Sequence, residues 1–149
     1  MQIEKLIHTP TLAPHKKTVI NLIYTANSIT DKISEALKPF DISLQQFNVL
    51  RILRGQKGKP ANLSTIQDRM IHKMSNTTRL VDKLIGKKLA ARKTCPSNRR
   101  KVEITITKDG LELLTVLDTI IETTEQDIIA SLTSEECNRL NALLDRVRH

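Results

Sequence analysis

The sequence predicts a mainly α-helical fold with one small two-stranded β element, and three observations within residues 62–110 carry that expectation. Two short amphipathic helices follow one another, starting at Asn62 and near Ser75. The segment KVEITIT then alternates Val102, Ile104 and Ile106 with Glu103, Thr105 and Thr107, the period-two pattern of a half-buried strand. Between helix and strand lie the turn formers Pro96, Ser97 and Asn98. Helix, turn, helix and basic hairpin together make the layout of a winged helix-turn-helix with a two-stranded β wing.

Asn62 is an N-cap, and Leu63, Ile66 and Met70 are the inner positions of the first helix. The second helix spans about Ser75 to Lys87. Thr77, Leu80, Val81 and Leu84 form its core-facing stripe, leaving Ser75, Thr78, Arg79, Asp82 and Lys83 outside and Asn76 at the leading end. Small polar groups at the start of a helix, with cations behind them, suit reading of base edges in a major groove. The strand partner is Leu89 to Thr94. The connection Cys95 to Arg100 puts the guanidinium groups of Arg99 and Arg100 near the tip.

Charge has the same address. The formal net charge is +8. Between Arg69 and Lys101, Asp82 is the sole acid among Lys73, Arg79, Lys83, Lys87, Lys88, Arg92, Lys93, Arg99 and Arg100. From Lys108 onward the balance reverses, with Asp109, Glu112, Asp118, Glu122, Glu125 and Asp127 in one run of helix. A concentrated basic patch is the footprint of a phosphate-backbone partner. The alternative is a solvated basic face without one.

The stretches SNTTRLVDKL, KKLA, PSNRRKVEITIT and KDG resemble the MarR family of winged-helix transcription regulators, from about residue 18 to the C-terminus. In that family the tip reads roughly Asp-Pro-x-Asp-x-Arg. Here Pro96 and Arg100 match, while Cys95 and Asn98 replace the two acids. Asn98 removes a carboxylate that could anchor a wing arginine. Lys88 stands where the family usually ends the recognition helix on glycine, and a left-handed residue there costs roughly 1 kcal/mol; Gly86 offers an earlier end. The resemblance implies a transcriptional repressor acting on duplex DNA as a homodimer, with the terminal helices forming the dimer interface. It also implies small aromatic or phenolic effectors bound between the dimer helices and the winged helix. Tyr24, Asn27 and Phe47 are the nearest ligand-binding candidates; the competing reading makes Tyr24 and Phe47 plain core.

The rest of the chain fits one domain over residues 1–149. The winged helix-turn-helix occupies about 40–107, and the dimerisation helices about 15–39 and 108–149. Residues 1–14, broken by Pro10 and Pro14, read as an irregular arm. A long helix from His15 to Leu37 carries Val19, Leu22, Ile23, Ala26, Ile29, Ile33 and Leu37 at helical spacing, and Pro39 ends it. Ser43 with Gln46 is a capping box for a helix over Leu44 to Gly55. Thr107 caps a helix from Lys108 to about Leu132, apolar on more than one face, which calls for more than one partner. Thr133 to Glu136 opens a last helix with Cys137, Leu140, Leu143, Leu144 and Val147 as its stripe, and Cys137 is expected in the core.

Other functions have little support. His8, His15, His72 and His149 stand at no ligand-like spacing, and the glycines Gly55, Gly58, Gly86 and Gly110 form no phosphate-binding loop. The chain is therefore expected not to be an enzyme and to need no metal or cofactor. No run approaches the ~20 apolar residues of a membrane span, and MQIEKLIHTP has no signal-peptide core, so a cytoplasmic chain without a membrane partner is expected. Cys95 lies beside Arg92, Lys93, Arg99 and Arg100, and cations favour thiolate, so a thiol-based redox-responsive regulator is one alternative. A winged-helix protein-interaction module without DNA binding is the other. The expected reading set is Ser75, Asn76, Thr78 and Arg79 in the major groove. Asn62, Lys73 and Lys83 are expected on phosphates, and Arg99 and Arg100 at the minor groove.

Overall fold

The computed structural model describes residues 1–149 apart from the side chain of Arg99. The helices are α1 (Ile3–Leu6), α2 (Pro14–Leu37), α3 (Leu44–Gly55), α4 (Leu63–Arg69), α5 (Thr77–Gly86), α6 (Lys108–Ile128) and α7 (Ser134–Val147). Strands β1 (Ala90–Cys95) and β2 (Asn98–Ile106) lie between α5 and α6, and a 3-10 turn, Lys38–Phe40, links α2 to α3. The fold is the winged helix-turn-helix expected, mainly helical with one antiparallel ribbon.

The helix starts follow local chemistry. Ser43 and Thr133 each form a capping box, with Gln46 and Glu136 reaching back to the cap N–H. Asn62 accepts from the Thr65 N–H, Asn76 from the Arg79 N–H and Thr107 from the Gly110 N–H. One core gathers Leu37 of α2, Val49, Leu50 and Leu53 of α3, Ile66 of α4 and Val81 and Leu84 of α5. Ile104 of β2 and Leu114 and Leu117 of α6 close it. Outside the ribbon, Ala61 pairs with Ile104 through N–H to carbonyl bonds of 2.9 and 2.8 Å in the two directions. The loop before α4 thus clamps the base of the wing.

The end of α5 is a Schellman turn. The Leu89 N–H bonds the Leu84 carbonyl at 3.0 Å, and the Lys88 N–H bonds the Ile85 carbonyl at 2.9 Å. The two alternatives at this departure from the family pattern occur together: the helix ends at Gly86, and Lys88 still takes the left-handed conformation at φ 62°. The Lys88 and Leu89 carbonyls then receive the Thr107 hydroxyl (2.8 Å) and the Thr107 N–H (3.1 Å). Gly110 lies directly against this junction, where an added Cβ would sit 2.3 Å from the Leu89 carbonyl oxygen.

Several expectations need correction. Residues 1–14 are not wholly irregular: α1 buries Ile3, and Glu4 pairs with Lys17 at 3.0 Å. Helix α5 starts at Thr77, because Asn76 caps it and Ser75 belongs to the preceding turn. The wing turn is tighter than expected. Cys95 ends β1 and Asn98 begins β2, so Arg100 lies in the strand. Register jumps from Thr94↔Val102 to Cys95↔Asn98, which bulges β2 around Arg100 and Lys101. Helix α6 stops at Ile128, ahead of Leu132. Cys137 is only half-buried, since no residue of α7 is buried in the single chain.

Two substitutions at the junction should move stability in opposite directions. Lys88→Gly should stabilise by roughly 0.5 kcal/mol, the left-handed strain relieved less the added freedom of the unfolded chain. Gly110→Ala should destabilise by about 1–3 kcal/mol, as overpacking against fixed backbone does. Urea unfolding of the two variants checks both signs.

Candidate nucleic-acid interface

The surface begins at the leading end of α5. Asn76 Oδ1 is held by the Arg79 N–H at 3.2 Å, so its side-chain amide nitrogen is the group left to face outward. The Ser75 hydroxyl donates to the His72 carbonyl at 2.7 Å and keeps lone pairs for an incoming donor. Thr78, Arg79 and Lys83 are exposed and make no side-chain hydrogen bond or ion pair among the described residues. Thr77 turns inward, and its hydroxyl donates to Gln67 Oε1. Lys73 is exposed, and its ammonium donates to the Asp68 carbonyl at the end of α4.

The wing supplies a second patch. Asn98 Oδ1 accepts the Arg100 N–H at 3.1 Å, so the residue replacing an acid shapes the bulge through backbone. The Arg100 side chain is exposed. The expectation for Arg99 falls on a side chain outside the described residues. A shallow cleft of about 260 Å³ between wing and α4 brings Asn62, Ser64, Arg100 and Lys101 together. Asn62 Oδ1 is occupied by the Thr65 N–H (2.8 Å) and the Ser64 hydroxyl (2.9 Å), which leaves its amide nitrogen as a donor. Sequence reasoning does not single out Ser64 or Lys101. Lys101 stands in the basic run, but nothing in the sequence shows that the bulge brings it to α4.

Pairing inside the patch leaves cations in excess. Asp82 pairs with Arg92, tying α5 to β1. Lys87 reaches Asp41 and the Gln46 amide, tying the end of α5 to the start of α3. Arg54 of α3 holds Asp118 of α6 with two bonds of 2.6 and 3.0 Å, a bidentate pair that ties α3 to α6.

A separate crevice of about 310 Å³ lies between α2, α3, α6 and the turn after α4. Its lining includes Ile33, Phe47, Arg51, His72 and Ile121, and Arg51 stacks over the Phe47 ring at 5.6 Å. Of the three ligand candidates, Phe47 reaches it. Tyr24 and Asn27 do not line it, because they lie on an exposed stretch of α2 further from α3. At the wing turn, Cys95 Sγ lies 3.1 Å from the Ser97 hydroxyl. That hydroxyl, then the N–H groups of Ser97 and Asn98, hold the thiol below its ordinary pKa, while desolvation and Glu103 oppose them. None of the described flanking cations, Arg92, Lys93 and Arg100, is among these causes. Among the described residues no His, Cys, Asp and Glu cluster is placed to hold a metal, and no helix is long and apolar enough to cross a membrane.

Comparison with known proteins identifies relatives in sequence and in fold. The model of the MarR family matches residues 42–102, from the start of α3 through the bulge of β2. The HTH-type transcriptional regulator MhqR of Bacillus subtilis is 29% identical over 131 residues, 88% of this chain and 89% of that protein. The crystal structure of a MarR transcription factor from Planctomyces limnophilus is 28% identical, with a TM-score of 0.72 over 91% of this chain and 98% of that one. A mutant of MarR from E. coli, crystallised with operator DNA, is 23% identical, with a TM-score of 0.79 over 93% of this chain and 99% of that one. Residues 42–102 thus carry a MarR-family match, and over nearly its whole length the chain is similar in sequence and fold to winged helix-turn-helix transcriptional regulators of that family.

Proposed function

We propose that this regulator binds duplex DNA as a homodimer on an inverted-repeat operator and represses transcription there. The observation that carries the reading is α5: its outer face presents Thr78, Arg79 and Lys83 unpaired among the described residues, at the end of the molecule where the cations gather. Thr78 and Arg79 read base edges, with Ser75 and the Asn76 amide beside them. Lys83, Lys73 and the Asn62 amide hold phosphates, and Arg99 and Arg100 set the wing at the minor groove. The solved complex of the E. coli mutant with operator DNA supports this use of the fold.

What one chain leaves uncovered supports the dimer. Val19 and Ile23 of α2 are 56% and 59% exposed, and Leu140, Leu143 and Val147 of α7 are 43%, 51% and 65% exposed. An isolated helix of α7's length is marginal in water, so it needs a covering surface. A second copy supplies one, and two copies present two reading helices. The crevice beneath α2 suits a small aromatic acid, with Phe47 and Ile121 against its ring and Arg51 facing its carboxylate. Such a ligand would release the DNA.

If phosphates are the partners, affinity for any duplex should fall by about 0.9 log unit per decade of salt for each phosphate neutralised. A flat salt profile would favour the protein-interaction module instead. Arg79→Ala should cost on the order of 1–3 kcal/mol on a duplex selected by the protein from a random pool, and relax the preference at one position. Equal losses on selected and random duplexes would make Arg79 a phosphate ligand.

Leu140→Asp separates dimer from fold. Its side chain is part-exposed in the single chain, so the monomer should tolerate a carboxylate that a buried interface would not. Sedimentation should show a folded monomer, and operator binding should be lost. A variant that stays dimeric would place the interface elsewhere.

A further inference from the structure

The turn between α4 and α5 has no hydrophobic anchor between its ends. Met70 is 1% exposed and Thr77 is 7% exposed, but Ile71 and Met74 between them are 77% and 86% exposed. Apolar packing therefore fixes where the turn leaves and rejoins the core and does not fix its path. Two side chains tie the turn to α4: the Lys73 ammonium donates to the Asp68 carbonyl, and Gln67, which alone of the two also reaches α5, crosses the other way. Gln67, in the last turn of α4, donates from Nε2 to the Lys73 carbonyl at 2.6 Å and accepts the buried Thr77 hydroxyl at Oε1. Its amide uses both poles, one on the turn backbone and one on the first residue of α5. The bonds from Ser75 to the His72 carbonyl are local to the turn and cannot set its position relative to α4.

We infer that Gln67 is a positioning residue for DNA reading: together with Thr77 it sets the height and angle at which α5 presents Ser75, Asn76, Thr78 and Arg79. This rests on the DNA-binding reading above. Gln67 and Thr77 themselves need touch no base. Their effect should appear in discrimination between sequences, because base-edge contacts depend on sub-ångström placement and phosphate contacts from flexible lysines do not. Glutamate at position 67 keeps the acceptor for Thr77 and loses the donor to Lys73. Serine at position 77 keeps the hydroxyl, and valine keeps the shape without it.

The test uses the full chain with a duplex it selects from a random pool, and with a random duplex of equal length. Gln67→Leu and Thr77→Val should each lower the ratio of selected to random affinity by roughly tenfold, the size of one lost hydrogen bond. Gln67→Glu should lower it as well, and Thr77→Ser should stay within about twofold of the parent because its hydroxyl remains. The double variant Gln67→Leu/Thr77→Val should be no worse than Gln67→Leu alone, since both changes remove the bond between the two side chains. Hydrogen exchange without DNA provides an independent arm: the amides of residues 73–79 should exchange faster in Gln67→Leu and Gln67→Glu, with the core amides of α3 unchanged. Unchanged ratios in folded variants, or losses that simply add in the double variant, would overturn the inference. Failure of the parent chain to select any duplex would count against the DNA reading, and the exchange arm would still decide whether Gln67 holds the turn.

Discussion

Four elements meet where the Lys88 and Leu89 carbonyls face Thr107 and Gly110. Helix α5 ends there, β1 begins, β2 ends and α6 begins. The Thr107 hydroxyl and N–H take the two carbonyls, and the missing side chain of Gly110 lets α6 close to them. Helix α5, the wing and α6 therefore share one origin. A shift at this point would move Arg79, Arg100 and the apolar face of α6 together. That is why a strained Lys88 is tolerated: roughly 1 kcal/mol of backbone strain is small beside three elements that depend on the turn.

The two halves of the molecule are finished to different degrees. The winged half closes its own core, from Leu50 and Ile66 to Leu84 and Ile104, all fully buried. The terminal half does not: α2 buries Leu37 alone and α7 buries nothing. The bidentate Arg54–Asp118 pair and the Leu114 and Leu117 contacts tie the unfinished half to the finished one. Covering α2, α6 and α7 with a second copy would then fix the distance between two reading helices through a rigid path of helix and ion pair. The crevice lies beside that path, between α2, α3 and the turn that leads into α5. Ile71 and His72 of that turn are among its lining residues.

Local chemistry is legible in the sequence, and long-range polar geometry is not. Asn62, Ser43, Thr107 and Thr133 declare their caps because a cap needs a partner only two or three residues away. The stripe Thr77, Leu80, Val81 and Leu84 declares the inner face of α5 because helical period is local too. The wing turn escapes such reasoning, because a bulge shifts register without changing the alternation of Val102, Ile104 and Ile106. Gln67 gives no signal, since its role depends on Thr77 ten positions away and on a carbonyl. Family analogy nominates Tyr24, Asn27 and Phe47 without saying which of them line a crevice in the single chain, and only Phe47 of the three does. Cys137 looks like core from its stripe, but a stripe does not say whether its cover belongs to the same chain.

The central claim is that two copies, held by their terminal helices, read one face of a duplex at two places. Specific binding by this arrangement needs half-sites roughly 34 Å apart, about one helical turn. The most direct measurement is the affinity for a selected inverted repeat before and after about five base pairs are inserted between its halves, which turns them to opposite faces. Affinity should collapse to that of a random duplex. Unchanged affinity after the half-turn insertion would contradict the account.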